Sequence, residues 1–172
     1  MFSPKVASLP VLALAVVTLG LNAQVPQGAT MATSTIKLSG GVAKTLTGNP
    51  VTAAWQKTEN RAGVTFSDIG QNPMMSATIT FPGKPAVKTY TQASTGNKST
   101  VTITQQPKMW MTIVGAPNLA AQGTYTLTLT KVTQVATNAQ GNGYVVHGTL
   151  DAKAVGVPGM GTTGAVTVHV TF

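Results

Sequence analysis

The chain has 172 residues, no cysteine, and 11 Lys and Arg against 3 Asp and Glu, a formal net charge of +8. The missing cysteine excludes disulfide staples, thiolate metal sites and a cysteine nucleophile. The carboxylates Glu59, Asp68 and Asp151 fall in separate segments, which argues against paired-carboxylate acid–base chemistry.

At the N-terminus, Lys5 precedes an apolar run from Val6 to Leu21, followed by the small residue Ala23. This is the pattern of a secretory signal peptide. Pro10 and Gly20 interrupt the run, which is short for a membrane-spanning helix, and no second long apolar run follows it. The reading predicts a leader over 1–23 with cleavage near Ala23, and a single domain over 24–172. That domain is expected to be exported to the periplasm or beyond the cell, with no transmembrane span in the mature chain. A cysteine-free exported chain fits a bacterial origin.

Past the leader, threonine alternates with apolar residues in segments bounded by Gly, Pro, Asn and Ser. The pattern predicts an all-β domain. "TIKLSG" and "GVAKTLTG" come first, and "GVTFSDIG", "MMSATITF", "AVKTYTQ", "STVTITQ" and "KMWMTIVG" follow. One segment breaks the alternation. In "NPVTAAWQKTENRAG", Asn49 suits a helix cap, Pro50 the first helical position and Gly63 a C-terminal stop, while Val51, Ala54, Trp55, Thr58 and Ala62 would share one face. A short helix is therefore expected near residues 50–62.

The last fifty or so residues predict a three-stranded meander built from "GTYTLTLTKVTQV", "GYVVHGTLDAKAV" and "AVTVHVTF". In the first of these strands the alternation slips near Lys131, which predicts a bulge. In the second, Tyr144, Val146, Leu150, Ala152 and Ala154 face inward and Val145, His147, Thr149, Asp151 and Lys153 outward. In the third, Val166, Val168, Val170 and Phe172 form the apolar face. About nine strands with regular turn signals predict one antiparallel β-sandwich domain. The last two strands are similar to C-terminal segments of small secreted bacterial sandwich proteins. The terminal Phe also resembles the closing strand of bacterial outer-membrane barrels, which leaves a small membrane barrel as an alternative.

The basic residues are spread singly, from Lys37 to Lys153, with no run and no nucleic-acid motif. Their charge suits an acidic polysaccharide better than dedicated nucleic-acid binding, and an edge strand offers a second route, to another protein. The chain has no G-x-S-x-G elbow and no phosphate-cradling glycine loop ahead of a helix, and nothing in it calls for a cofactor.

Two constellations remain. His147, His169 and Asp151 would share a polar face, and with the methionines of "NPMM" and "KMWM" they are the candidates for an envelope copper or zinc site. Pairing of residue 147 with 169 would set the two imidazoles side by side. Among the aromatics Trp55, Trp110, Tyr90, Tyr125 and Tyr144, Trp110 is the leading candidate for a ligand-binding platform, because its strand is apolar on both faces and it is either central or exposed. The expected function is an exported, non-catalytic binding or structural module.

Overall fold

The computed structural model describes residues 33–68, 72–95, 99–112, 123–137, 139–157, 160 and 162–172. The leader and its cleavage site lie outside them. The chain is all-β and antiparallel. Its elements are β1 (Thr33–Gly40), β2 (Lys44–Pro50), β3 (Thr52–Gln56), β4 (Arg61–Asp68), β5 (Met74–Pro82), β6 (Thr89–Thr91), α1 (Gln92–Thr95), β7 (Thr100–Gln105), β8 (Lys108–Met111), β9 (Thr124–Thr137), β10 (Gly141–Gly156) and β11 (Ala165–Thr171).

All eleven strands among the described residues belong to one sheet, in the order β2-β1-β11-β10-β3-β4-β5-β7-β8, with β8 returning to β10 and with β9 and β6 added on β10's second edge. The C-terminal meander β9-β10-β11 forms as the alternation predicts. The two faces of the expected sandwich are present as layers of this sheet. Strand β2 lies against β4, and Phe66 of β4 meets Phe172 edge-on with ring centroids 5.1 Å apart.

β10 joins the layers. Along one edge its first half pairs with β3, and its second half pairs with β11. Along the other edge it pairs with β9 and then with β8 through Val155 and Gly156. The changeover falls at Gly148, which exchanges backbone hydrogen bonds with Phe172 at 2.8 and 3.1 Å while lying opposite Leu129 of β9. A Cβ at this position would stand 1.9 Å from the carbonyl oxygen of Thr128, so the strands close up only around glycine.

The predicted slip near Lys131 is a bulge. His147 pairs with Lys131 and Gly148 with Leu129, which leaves Thr130 as the extra residue of β9. Its hydroxyl donates to the carbonyl of His147 at 3.2 Å.

The helix expected near residues 50–62 is not there. Residues 52–56 are β3, 57–60 a turn and 61–68 β4, and the short helix is α1 instead. Val51 and Ala53 are buried at 3% and 2% exposure, a period of two that continues to the partly buried Trp55. Val51 and Trp55 fit both periods. The strand wins because β3 finds a partner on each edge, β10 and β4, and so satisfies its backbone groups over its whole length.

Alternation holds around the sheet except in the first half of β10, where Val145, expected outward, is 4% exposed beside the buried Tyr144 and Val146, because this central stretch is covered on both faces. Val166, Val168 and Val170 are fully buried, as are Ile36, Val64, Ile79, Val101, Ile103, Leu127 and Leu150, each contributing about 1.5–3 kcal/mol of transfer free energy. The outward positions are mostly polar, many of them threonine. The register sets Thr47, Thr35, Thr171 and Thr149 in one row across four strands, and Thr52, Thr65, Thr78 and Thr100 in another on the opposite layer.

Replacing Val168 by Asp strands a charge in the core. It is expected to cost several kcal/mol, enough to unfold a domain of ordinary stability. Thr167→Asp, exposed on the other face, is expected to cost about 1 kcal/mol or less. Denaturant melts of both variants measure the contrast, and equal losses would contradict the assignment of faces.

Candidate functional site

The turn between β3 and β4 builds one end of the molecule. Asn60 takes the left-handed conformation with φ 47°, which asparagine tolerates better than most residues, and its amide bonds back to the carbonyl of Lys57 at 3.3 Å. Its side-chain oxygen accepts from the indole Nε1 of Trp55 at 3.4 Å. The amide of Lys57 donates to the carbonyl of Gln140 at 2.9 Å, tying this turn to the one before β10.

The linker after β5 folds over the same end. Gly83 donates to the carbonyl of Asn60 at 2.8 Å. Pro85 is buried, and the amide of Ala86 donates to the Tyr90 hydroxyl at 3.0 Å. Tyr90 stacks on Phe81 with centroids 3.9 Å apart. Burial raises the Tyr90 phenol above its ordinary pKa, and the hydrogen bond with Ala86 partly offsets this. So anchored, the linker places the Lys84 ammonium 4.8 Å from the centre of the Trp55 ring and that of Lys88 4.8 Å from the Tyr90 ring.

At this mouth the register sets Asn142, Trp55, Ala62 and Phe81 side by side. The Asn142 amide donates to Gln134 Oε1 at 3.2 Å and to the Tyr144 hydroxyl at 3.3 Å. Arg61 turns its guanidinium to Thr80 Oγ1 and to the carbonyl of Thr95. The end therefore combines an indole partly open to solvent, a strip of amides, and the cations Lys57, Arg61 and Lys84, with Glu59 the acidic residue of the turn. Far apart in sequence, Lys84 and Trp55 meet only because the linker after β5 is tied to the β3–β4 turn through Gly83 and Asn60.

Trp110 takes the central option and is not a surface platform. It is 2% exposed, with its Nε1 buried and unpartnered among the described residues, and its ring lies so close to Gly41 that a Cβ there would sit 3.3 Å from it. Met109 and Met111 on either side of it point outward. Tyr125 and Tyr144 are core residues, at 3% and 5% exposure.

The metal constellation is divided. In the β10–β11 register His169 lies opposite Asp151, not His147, and His147 lies opposite Lys131 of β9. The two imidazoles are thus not side by side, because β11 pairs only with the part of β10 beyond Gly148. Among the described residues, no group of three or more His, Asp or Glu side chains comes together to hold a metal. What forms is a pair: His169 Nδ1 is 2.6 Å from Asp151 Oδ1, with side chains 43% and 58% exposed. His169 Nε2 lies 3.3 Å from the Thr171 hydroxyl. Carboxylate, imidazole and hydroxyl thus lie in sequence, but on an open sheet face with Lys37 next in the row, where bulk water screens them.

Asp68 is a residue whose setting the sequence did not reveal. It ends β4 in the inward phase, 4% exposed, with Oδ2 unpartnered among the described residues. Its alternation with Val64 and Phe66 is the signal that could have placed it inside.

Replacing both His147 and His169 by Ala is expected to shift stability by no more than about 0.5 kcal/mol, as for exposed changes away from special features. Thermal or denaturant melts check this, and a loss of several kcal/mol would assign the His169–Asp151 pair a structural role. Comparison of the chain with protein-family models, with curated proteins and with solved structures finds no match to any of them.

Proposed function

We propose that this chain is an exported, non-catalytic binding module of the cell envelope or extracellular space, and that it engages an acidic polysaccharide through its Trp55 end. The observation that carries the reading is the Lys84 ammonium over the partly buried Trp55 indole, beside the Asn142 and Gln134 amides. An aromatic face packs against the apolar face of a sugar ring, amides exchange hydrogen bonds with hydroxyls, and cations take up carboxylate or sulfate charge. Lys84 is exposed and long enough to leave the ring for an incoming anion.

The small membrane barrel is the weaker reading. Such barrels turn an apolar band to lipid, whereas this sheet buries its apolar residues inside and turns Thr, Ser and Lys outward. No described helix is long and apolar enough to cross a membrane.

Titration of the purified chain with polygalacturonate, with dextran as the neutral control, tests the proposal. Polygalacturonate is expected to bind and to weaken as salt rises, while dextran binds far less. An exposed lysine–carboxylate pair contributes about 0.2–1 kcal/mol, so Lys84→Ala is expected to weaken binding by up to about fivefold, and Lys84→Glu more. Binding that is absent, insensitive to salt or unchanged in these variants would overturn the assignment.

A further inference from the structure

Asn142 of β10 lies opposite Trp55 of β3 on one edge and opposite Thr137 of β9 on the other. Thr137, Asn142 and Trp55 therefore form one row across three strands. Its ends are two strand spacings apart, about 10 Å between Cα atoms, which is the length of a disaccharide. Side chains directly opposite each other in antiparallel strands stand about 5 Å apart at Cβ, so Asn142 adjoins the indole over which Lys84 lies.

Hydrogen bonding gives this row a polarity. Gln134 Nε2 donates to Thr137 Oγ1 at 2.7 Å, which leaves the Gln134 side-chain oxygen as an acceptor. Asn142 Nδ2 donates to that oxygen at 3.2 Å and to the Tyr144 hydroxyl at 3.3 Å. Both amide protons are thus used, and a flipped amide would set oxygen against oxygen at Gln134. Asn142 Oδ1 has no partner among the described residues, yet it is absent from the buried polar atoms left unpaired, so on this partly exposed residue it opens to water. Thr137 is exposed, and its hydroxyl, which accepts from Gln134, keeps its own proton to give.

Along the row stand an aromatic ring with a cation, then an oriented acceptor, then a donor. Capture of an anion needs only the cation. An acceptor held beside the ring calls for a hydroxyl on the same ligand. From this arrangement we infer that Thr137, Asn142 and Trp55 form a two-unit sugar site, in which Asn142 Oδ1 accepts a hydrogen bond from a hydroxyl of the unit next to the one on Trp55. The inference rests on the reading of this end as a polysaccharide site and adds its selectivity: Asn142 separates a hydroxylated polyuronate from a polyanion that has no hydroxyls.

Titration of the purified chain with polygalacturonate and with poly-L-glutamate, at equal carboxylate concentration and equal salt, tests this selectivity. The parent is expected to prefer polygalacturonate. Asn142→Ala removes one hydrogen bond to a neutral group, so its polygalacturonate affinity is expected to fall about two- to tenfold, with poly-L-glutamate binding and the salt dependence of both polymers as in the parent. Lys84→Ala behaves differently, weakening both polymers and flattening the salt dependence. Thr137→Val, at an exposed position, is expected to lower the same preference and carries the test if Asn142→Ala fails to fold. Equal affinity of the parent for the two polymers, or a preference that neither variant lowers, would sink the inference; polygalacturonate binding that still depended on salt and on Lys84 would then leave the reading of the Trp55 end standing. A parent that does not bind polygalacturonate would remove both.

Discussion

One strand carries the architecture. β10 pairs with β3, β8, β9 and β11, and the sheet closes because a single residue along it has no side chain. At Gly148 the backbone must meet Phe172 on one edge and approach Thr128 on the other more closely than any Cβ allows. A sheet that closes through one strand leaves fewer open edges, and open edges invite pairing with other chains. A cysteine-free chain has no cross-links to fall back on, so its stability rests on backbone pairing and burial.

Closure also sorts the side chains. With apolar residues turned into the gap between layers and threonines outward, the sheet has a filled interior and a polar surface. The β-branched threonines suit an extended backbone while keeping a hydroxyl in water, and aligned in rows they hold strands together without charge. Departures from that rule mark where something other than strand formation is at work. Trp55 and Lys84 meet at one end, and Met74, Met109 and Met111 lie on the outer face of β5 and β8.

These two regions owe their chemistry to different parts of the fold. The Trp55 end depends on turns, since the hydrogen bonds of Asn60 to Lys57 and Gly83 bring the Lys84 segment to the Trp55 indole. The methionine face depends only on register, since β7 spaces β5 from β8 so that Met74 and Met109 fall in one row. The His169–Asp151 pair is likewise a product of register, on an open part of the sheet.

Alternation alone determined much of this protein: the all-β class, the inward faces of β10 and β11, and the bulge beside Lys131, because a period of two is a local property that burial on one face enforces. It failed in "NPVTAAWQ", where Val51 and Trp55 satisfy a helical period as well as an extended one, and where only the pairing of β3 with both β10 and β4 decided between them. Trp110 was legible as either central or exposed, and the layers resolved it as core. Which histidine meets Asp151, which tryptophan stays partly open and which lysine crosses its ring all depend on register and on the meeting of distant turns. Those are set by contacts between residues far apart in the chain, and the tertiary structure alone decides them.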